Sequence, residues 1–283
     1  MNSRTSLNIF LFLFVATLIA ILFIDTEKSI TTYQLSSLNE NQVTTIEITR
    51  QTGKALTFNK KNNLWYMTSP YEVQANTFYI ESLLRITQAK SISQFTISKE
   101  DKNKFKLNPA QATLKLNQQL FSFGTNEALN LNRYILSNDK LYLIPDRYFY
   151  LLNSTTTGYI DHALIGKQKK IIGLELENHK IQLLNGKWQT TPKLKNNSAD
   201  NIIQLISEWN NSQAIEISEF SDIANSDKKL SVKIFIAGNK KPIIFDVVIT
   251  DENYFFIRVD LKLQFKLNHD MAKRLLTIPN QVI

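Results

Sequence analysis

The chain lacks cysteine entirely and is poor in histidine, with three among 283 residues. Without thiols it can form neither a disulfide scaffold nor a thiolate metal site, and it suits an oxidising or a reducing compartment equally well. The histidines, His162, His179 and His269, do not lie at the short helical or loop spacing that zinc and two-histidine iron sites show. The sequence therefore predicts no metal site.

Glycine is scarce as well, and the seven glycines never approach the spacing G-x-G-x-x-G, G-x-x-x-x-G-K or G-x-S-x-G. The usual nucleotide-binding loops and the nucleophile elbow are therefore absent as motifs. The pairs Asp161-His162 and His269-Asp270 could suggest a base and its orienting acid. Adjacent side chains point in different directions, however, and a catalytic triad is defined in space, so linker and helix-start chemistry is the preferred interpretation.

Glu175 and Glu177 have a spacing that could serve acid–base chemistry, because residues two apart project from the same face of a strand. The preferred interpretation is a solvated outer face, with Ile172, Leu174 and Leu176 turned inward. We expect no catalytic, cofactor-binding or metal-binding residue and no cofactor. The sequence thus predicts a protein that is not an enzyme.

The charge is one-sided, with a formal net charge of +8 and 26 lysines against 7 arginines. Lysine doublets are dispersed along the chain, at Lys60-Lys61, Lys169-Lys170, Lys228-Lys229 and Lys240-Lys241. Nucleic-acid-binding proteins usually cluster their basic residues and rely on arginine for bidentate contacts. We therefore expect no nucleic-acid partner, and a solvated surface with a weak attraction to anionic lipid headgroups or envelope polymers.

One long apolar run, residues 7–24, contains no charged side chain. A helix over this run would be about 27 Å long, close to the ~30 Å hydrocarbon core of a bilayer. The run is too long for the apolar part of a signal peptide, and no A-x-A-like cleavage site follows it. A retained transmembrane anchor is therefore favoured over a cleaved secretory signal, and both alternatives send the rest of the chain across the membrane.

The flanking charges predict the orientation of this anchor. Arg4 and the amino terminus precede it, whereas Asp25 and Glu27 surround Lys28 after it. By the positive-inside rule, residues 1–6 are cytoplasmic, and the chain beyond a juxtamembrane linker at 25–40 is extracytoplasmic. The predicted location is the inner (cytoplasmic) membrane, in a single pass with periplasmic C-terminal domains.

The remainder of the chain repeats itself. Trp65 and Trp188 are 123 residues apart, and each stands shortly before a proline. Further pairs keep the same order: Ile80, Leu83 and Leu84 with Ile202, Leu205 and Ile206; residues 91–95 with 216–220; 141–143 with 263–265; and 151–152 with 275–276. Such a period is too long for a solenoid. We predict two tandem domains, residues 41–160 and 171–283, joined by a linker at 161–170.

Within each half, alternating apolar residues predict strands at 43–48 and 55–58, and at 171–176 and 181–184. A helix then begins at the N-cap residues Asn76 and Ser198. More strands follow, with turns at 137–140 and 250–253, and short helices at 146–152 and 270–276 close the halves. The predicted fold class is α+β: an N-terminal transmembrane helix followed by two tandem, similar antiparallel α+β domains.

Aromatic residues invite a binding interpretation that the sequence alone does not favour. Trp65 and Trp188 could be ligand-stacking platforms, but a tryptophan that closes a strand is more often a core or rim residue. Tyr142, Tyr148, Phe149 and Tyr150 could face the second domain or a partner. Plain core packing is the preferred interpretation of this cluster.

The arrangement resembles the bacterial DUF4340 family. The resemblance is carried by residues 65–70, the helix from Asn76, the F-x-L-N-P segment at 105–109, Phe123-Gly124, and residues 133–136 and 141–144. It is strongest over residues 43–170. The second half departs from the pattern, with Asp246 in place of Gly124 and no F-x-L-N-P segment before Val232.

This resemblance implies a single-anchor envelope protein, because members of the family look like such proteins and some are encoded beside ABC-type permeases and gliding-motility or exopolysaccharide components. We therefore expect a non-enzymatic, membrane-anchored extracytoplasmic accessory or scaffold protein of an envelope complex such as an ABC-type transporter. An alternative stays open, in which the cleft between the two domains binds an envelope polymer or an anionic lipid.

Overall fold

The computed structural model describes residues 3–23, 31–128, 131–194, 199–220, 229–250 and 253–279. Its first element is helix α1 (Ser3–Phe23), and every side chain described along it, residues 4–20, is exposed. Among the described residues, no helix is both long and apolar enough to qualify as a membrane span. The end of the predicted anchor, Ile24, and residues 25–30 of the predicted linker lie outside the described residues.

The first half of the chain consists mainly of antiparallel strands. They are β1 (Tyr33–Gln34), β2 (Thr45–Arg50), β3 (Leu56–Lys61), β4 (Leu64–Ser69), β5 (Val73–Gln74), β6 (Lys90–Ser91), β7 (Gln94–Thr96), β8 (Ala112–Leu116), β9 (Gln119–Asn126), β10 (Asn132–Ser137) and β11 (Lys140–Pro145). The helices are α2 (Thr77–Leu84), α3 (Asp101–Lys104) and α4 (Phe149–Leu152), with 3-10 turns at Glu40–Gln42, Arg85–Gln88 and Thr156–Tyr159. Nine strands form one sheet in the order β5-β4-β3-β2-β8-β9-β10-β11-β7, and β1 pairs with β6.

The second half contributes one further sheet. Its strands are β12 (Ile171–Glu175), β13 (Lys180–Leu184), β14 (Lys187–Thr191), β15 (Glu216–Glu219), β16 (Lys229–Ile236), β17 (Ile243–Ile249), β18 (Asn253–Arg258) and β19 (Leu263–Asn268). Its helices are α5 (Ala199–Asn211) and α6 (His269–Leu276). The eight strands lie in the order β14-β13-β12-β16-β17-β18-β19-β15.

The two large sheets follow the same strand order. The run β4-β3-β2 corresponds to β14-β13-β12, the run β8 to β11 corresponds to β16 to β19, and β7 corresponds to β15. In each half, a longer helix, α2 or α5, comes after β4 or β14 in the chain. A shorter helix, α4 or α6, comes after β11 or β19. The prediction of an α+β chain built from antiparallel sheets is confirmed, while the domain boundaries stay a prediction.

Helices α2 and α5 are held by the apolar residues that the periodicity predicted. The side chains buried under them include Ile80, Leu83 and Leu84 on α2, and Ile202, Leu205 and Ile206 on α5. Asn76 is the N-cap of α2, since its Oδ1 accepts a hydrogen bond from the Phe78 N–H at 3.0 Å. The other predicted cap, Ser198, lies outside the described residues. Trp209 of α5 is fully buried and donates its Nε1–H to the Leu275 carbonyl at 3.0 Å.

Hairpin chemistry explains the predicted turns. Asn138 and Asp139 adopt φ angles of 48° and 56°, and these residue types tolerate that left-handed region, so β10 and β11 pair through a tight turn. Between β17 and β18, the Thr250 N–H donates to the Asn253 carbonyl at 3.0 Å. Asp251 and Glu252, at the tip of that hairpin, lie outside the described residues.

Two local predictions need correction. Ile172 was predicted to point inward, but it is 37% exposed, and its neighbour Ile171 is buried instead. The cause is a register shift between Ile171 and Gly173 in the pairing of β12 with β16, which changes the face of each side chain. The first closing helix is also shorter than predicted: α4 begins at Phe149, whereas the Asp146 carboxylate binds Arg133.

The connection between the halves, predicted as a linker at 161–170, is hydrogen-bonded to both of them. The Asp161 N–H donates to the Gln74 carbonyl at 2.9 Å, and the Lys167 N–H donates to the Gln74 Oε1 at 2.7 Å. On the other side, the Leu164 N–H donates to the Ser212 carbonyl at 3.3 Å. Leu164 is itself buried. This segment is therefore an integral part of the body, and we call it the junction (residues 160–167).

Candidate functional site

A cleft of about 610 Å³ opens between the two halves. Its walls come from four short segments: the turn before β3, the residues after β4, the end of β15, and the turn between β18 and β19. The residues that line it are Lys54, Pro70, Tyr71, Glu72, Glu219, Phe220, Asp260, Leu261 and Lys262. We call it the inter-half cleft. Because both halves supply walls, it is the place where the sequence-based alternative would put a ligand.

Tyr71 and Glu219 join the two halves across this cleft. The Tyr71 hydroxyl donates to the Glu219 Oε1 at 2.9 Å. Burial raises the pKa of Tyr71 to about 12, and the hydrogen bond to Glu219 and the charge of its carboxylate add to the effect. A phenol held in its neutral form in this way acts as a hydrogen-bond donor and not as a nucleophile.

Asp260 is engaged by its neighbour Arg258 in a bidentate pair. The Arg258 Nε donates to Oδ1 at 2.8 Å, and the second guanidinium nitrogen donates to Oδ2 at 2.7 Å. These hydrogen bonds from Arg258, together with its charge, lower the pKa of Asp260. The carboxylate is thereby held in its charged form by Arg258 and is poorly suited to proton transfer.

The charges of the cleft are mixed. Glu72, Glu219 and Asp260 supply three carboxylates, while Lys54 and Lys262 supply two ammonium groups. A groove that binds an anionic polymer needs an excess of positive charge, which this lining does not provide. The inter-half cleft is therefore suited to a polar partner with charges of both signs.

The histidines and the paired glutamates do not converge on one site. His162 hydrogen-bonds through Nδ1 to the Ala214 carbonyl at 2.8 Å, and His269 packs edge-on against Tyr254. His179 lies in the turn between β12 and β13, near Glu177. Within the described ranges, no group of three or more His, Cys, Asp and Glu side chains is arranged to hold a metal ion.

Glu175 takes part in a surface ion-pair network. Its carboxylate lies 3.1 Å from the Lys233 ammonium and 3.4 Å from the Lys180 ammonium, and hydrogen bonding from Lys233 is the main reason that its pKa is lowered. Glu177 lies beyond the end of β12 and is exposed. Glu175 and Glu177 therefore do not form the carboxylate pair that acid–base chemistry would need.

The aromatic residues singled out from the sequence are mostly core residues. Trp65 is buried, and Trp188 is half-buried against the core. Of the predicted cluster, Tyr142 and Tyr148 are buried, Phe149 is partly buried against the core, and Tyr150 is exposed. The burial of both tryptophans agrees with their interpretation as core or rim residues.

The motif residues of the first half meet around one buried cation that the sequence analysis missed. Arg133 is 6% exposed, and it donates to both oxygens of Asp146 at 2.8 Å, to the Gln111 Oε1 at 2.7 Å, and to the Gly124 carbonyl. Its guanidinium lies 3.5 Å from the centre of the Phe149 ring. Four hydrogen bonds and the Phe149 ring hold the guanidinium in place, so Arg133 has a structural role.

Gly124 explains why the F-x-L-N-P segment and the F-G pair occur together. A Cβ at position 124 would fall far inside the van der Waals distance of the Phe105 carbonyl oxygen. The same carbonyl accepts a hydrogen bond from the Thr125 N–H at 2.8 Å, and the Phe105 and Tyr134 rings lie 4.5 Å apart. The two parts of the motif therefore occur together because their backbones approach so closely that only glycine fits at position 124.

A family model described as a domain of unknown function (DUF4340) matches residues 65–246. The match begins in β4, crosses the junction, and ends within β17, so it includes parts of both sheets. No curated protein and no solved structure matches the chain.

Proposed function

Since the chain belongs to the DUF4340 family, whose description assigns no activity, we propose a function from the features described above. The proposal is a non-enzymatic, membrane-anchored extracytoplasmic protein. It acts as an accessory or scaffold component of an envelope complex such as an ABC-type transporter. The body stands in the periplasm, and the amino terminus lies inside.

The observation that carries this proposal is the exposure of the apolar helix α1. Its described side chains, residues 4–20, are all exposed, including Phe10 at 68%, Phe12 at 73% and Leu13 at 58%. A helix that is apolar all round is stable when it is buried in a protein core or in lipid, and exposed apolar surface of this extent marks an interaction site. The described side chains end at Ala20, whereas the apolar run of the sequence continues to Ile24.

The chemistry of the inter-half cleft supports a scaffold and not a catalyst. Among its described residues, Glu219 is occupied by Tyr71 and Asp260 is occupied by Arg258. A general base or an activated nucleophile needs a group of matched pKa within hydrogen-bond reach of a partner. Burial raises the pKa of Tyr71, and the hydrogen bonds from Arg258 lower the pKa of Asp260, in both cases away from neutrality, which suits a structural role.

The alternative of an anionic polymer or lipid in the inter-half cleft is not favoured by the charge count of its lining, three carboxylates against two lysines. It would be revived by salt-sensitive retention of the full chain on peptidoglycan, teichoic acid or anionic vesicles, because screening weakens such contacts as ionic strength rises. A matched variant, Lys54→Gln with Lys262→Gln, would then bind less.

Topology is tested first. Fusions of alkaline phosphatase and of a fluorescent protein to the carboxyl terminus of the full chain should give phosphatase activity and no cytoplasmic fluorescence. External protease should digest the body in intact spheroplasts. The matched control carries Leu13→Arg and Val15→Arg, which place charges in the apolar run and should release the body from the membrane fraction. A fusion that is active only in the cytoplasm contradicts the proposal.

The partner is tested on the anchored protein. Crosslinking in living cells, gentle solubilisation and purification of the full chain should recover a permease or an ATPase of the envelope as a stoichiometric partner. The same preparation from the Leu13→Arg, Val15→Arg variant should lose it, because the anchor sets the location. A protein that always migrates alone after crosslinking contradicts the accessory role.

A further inference from the structure

A cavity of about 730 Å³ in the second half lies apart from the inter-half cleft. It is lined by the turn between β12 and β13, by β16, by the adjoining ends of β17 and β18, and by α6 with the residues after it. Its volume falls within the range of small-molecule sites, about 300 to 1,000 Å³. None of the residues that line it takes part in the proposed scaffold function.

The walls of this cavity are partly polar, with Glu177, Asn178, His179, Ser231, Lys273 and Thr277, and partly apolar. Six aliphatic side chains line it: Leu176, Leu230, Val232, Ile249, Leu276 and Ile278. Val232 and Ile278 are buried in the hydrophobic core, so the cavity reaches down to the core itself. Tyr254 adds an aromatic wall, and its ring is braced edge-on by His269 at 5.5 Å.

The repeated fold supplies an internal reference for this cavity, because β8 of the first half corresponds to β16 of the second. Ser231, near the start of β16, lines the cavity, and Gln111 directly precedes β8.

In the first half, the buried Arg133 lies beside the start of β8. Its guanidinium binds the Gln111 side chain and Asp146 and covers the ring of Phe149 on α4. A second arginine, Arg50 at the end of β2, donates to the Ser154 carbonyl at 2.7 Å and bridges from the sheet to the residues after α4. In the second half, aliphatic side chains and Ser231 lie at the start of β16 and around the adjoining strand ends, and the residues described there line the cavity.

One cation stands at the rim. Lys273 of α6 lines the cavity. The neighbouring Arg274 forms an ion pair with Glu208 at 3.2 Å, and within the described part of the chain Lys273 forms no ion pair. The other titratable groups of the lining are Tyr254, and His179 and Glu177 in the turn between β12 and β13. Aliphatic walls next to the Lys273 ammonium match a ligand that has an apolar body and one anionic head.

We propose that this cavity binds a single-chain lipid amphiphile with an anionic head, with its acyl chain among the aliphatic side chains and its head at Lys273. The occupant is chosen by the charge and polarity of the lining. A free fatty acid and a lysophospholipid share this chemistry. The proposal stands independently of the transporter-associated function, although an anchored body would lie close to a source of such molecules.

The probe is a hexadecanoic acid that carries a diazirine on its chain, added to the full chain in nanodiscs of phosphatidylcholine. After irradiation and digestion, we expect labels in peptides that contain residues 176–179, 230–232 and 273–279. Unlabelled hexadecanoate should compete these labels away, and a lysophosphatidic acid should compete as well if the site accepts a phosphate head. Labels confined to α1, or spread evenly over the surface, would overturn the proposal.

Variants of Lys273 distinguish binding of the anionic lipid head from binding of the acyl chain. Lys273→Gln should lower cavity labelling about tenfold, the loss expected for one charge-assisted contact, and Lys273→Arg should retain it. The exposed Lys187→Gln is the matched control and should leave labelling unchanged. The methyl ester of the probe, which has no anionic head, should show no dependence on Lys273; equal labelling of wild type and Lys273→Gln by the acid contradicts the assignment of the head.

A filling variant tests the cavity itself. Ser231→Phe places a ring in the lining of the cavity, and it should abolish labelling of the cavity peptides while α1 is still labelled. Circular dichroism and urea unfolding show whether this variant folds, and Ser231→Ala serves as the size control. Retained labelling in a folded Ser231→Phe protein would overturn the proposal, whatever the outcome of the topology and partner experiments.

Discussion

Arg133 shows how a single buried charge is tolerated in the core of the first half. Its guanidinium has lost nearly all contact with water, so its free energy depends on the Asp146 carboxylate, the Gln111 amide and the Gly124 carbonyl. A buried ion pair of this kind is weak evidence for stability relative to an apolar core, but breaking one side of it is costly.

Replacing one partner of this pair is therefore predicted to destabilise the protein strongly. Arg133→Met and Asp146→Asn should each lower the free energy of unfolding, by about 3 to 5 kcal/mol for the arginine, because a charge or an acceptor set is left without its partner. The double change Arg133→Met, Asp146→Leu should cost less than the sum of the two. Urea unfolding followed by tryptophan fluorescence measures these effects.

The control for this experiment is the exposed pair of Lys104 and Asp101, 2.7 Å apart. Lys104→Met should leave the free energy of unfolding nearly unchanged, since solvent screens exposed pairs. Equal effects of Lys104→Met and Arg133→Met would show that burial of Arg133 does not determine its energetic role.

Tyr71 predicts how stability changes at alkaline pH. Its pKa is about 12 in the folded protein and about 10 in an unfolded chain. Between these values the unfolded chain has released a proton that the folded protein still holds, so the stabilising contribution is complete below pH 10 and is lost as the pH rises towards 12.

The free energy of unfolding of the wild type should therefore fall more steeply between pH 10 and pH 12 than that of Tyr71→Phe, which has no phenol to titrate. Glu219→Gln removes the negative charge beside the hydroxyl and should give an intermediate slope. Urea titrations at fixed pH values measure the slopes. Parallel curves for wild type and Tyr71→Phe would mean that Tyr71 titrates alike in the folded and unfolded states.

Individual side-chain environments were predictable where only local periodicity mattered. The buried faces of α2 and α5 follow from apolar spacing, which is a property of the helix alone. Ile172 was placed wrongly because a register shift against β16 depends on a strand about 60 residues away, and alternation within β12 carries no sign of it. The pairing of Arg133 with Asp146 was missed for a similar reason, since charge pairing across strands leaves no local pattern.

Helices α2 and α6 both begin with an asparagine N-cap. The Asn76 side chain accepts from the Phe78 N–H at 3.0 Å, and the Asn268 side chain accepts from the Met271 N–H at 2.9 Å. Each bond satisfies a backbone donor that the first turn of a helix leaves free. The asparagine oxygen thus determines where α2 and α6 begin.

Removal of this oxygen should cost about the same in either half. Asn76→Ala and Asn268→Ala should each lower the free energy of unfolding by about 1 kcal/mol, while Asn76→Ser and Asn268→Ser, which keep a capping oxygen, should lose much less. Urea unfolding of the four variants provides the measurement. A serine variant as unstable as its alanine counterpart would mean that the cap oxygen does not stabilise the helix.

Elements were easier to predict than their connections. The strands around Trp65 and Trp188 carry clear alternation, and their predicted positions agree with β2, β3, β12 and β13 to within a few residues. The junction, in contrast, was predicted as a linker because its sequence breaks the periodicity. Its partners, Gln74 and Ser212, lie far away along the chain, so no local pattern could reveal that it is bonded to both halves.

The whole body is predicted to unfold as one unit. Buried residues of both halves belong to one hydrophobic cluster that extends from Leu35 to Ile278. A continuous core and a bonded junction couple the stability of the two halves. Pulse proteolysis with mass spectrometry over a series of urea concentrations should therefore give the same midpoint for peptides of the first half and of the second half.

Gln74→Leu provides the matched variant for this measurement. It removes the side-chain oxygen that accepts from the Lys167 N–H, and it leaves the sheets themselves intact. The two midpoints should then separate, with the difference reporting how much coupling passes through the junction. Two distinct midpoints in the wild type would contradict a single cooperative unit.

The bonding of the junction also limits how the protein can respond to mechanical load. A loose tether between two bodies would stretch first and absorb a pull, but here stretching requires main-chain hydrogen bonds to Gln74 and Ser212 to break. A force applied to one sheet is therefore transmitted to the other sheet without extension of the connection between them, and the two sheets move together as one rigid unit.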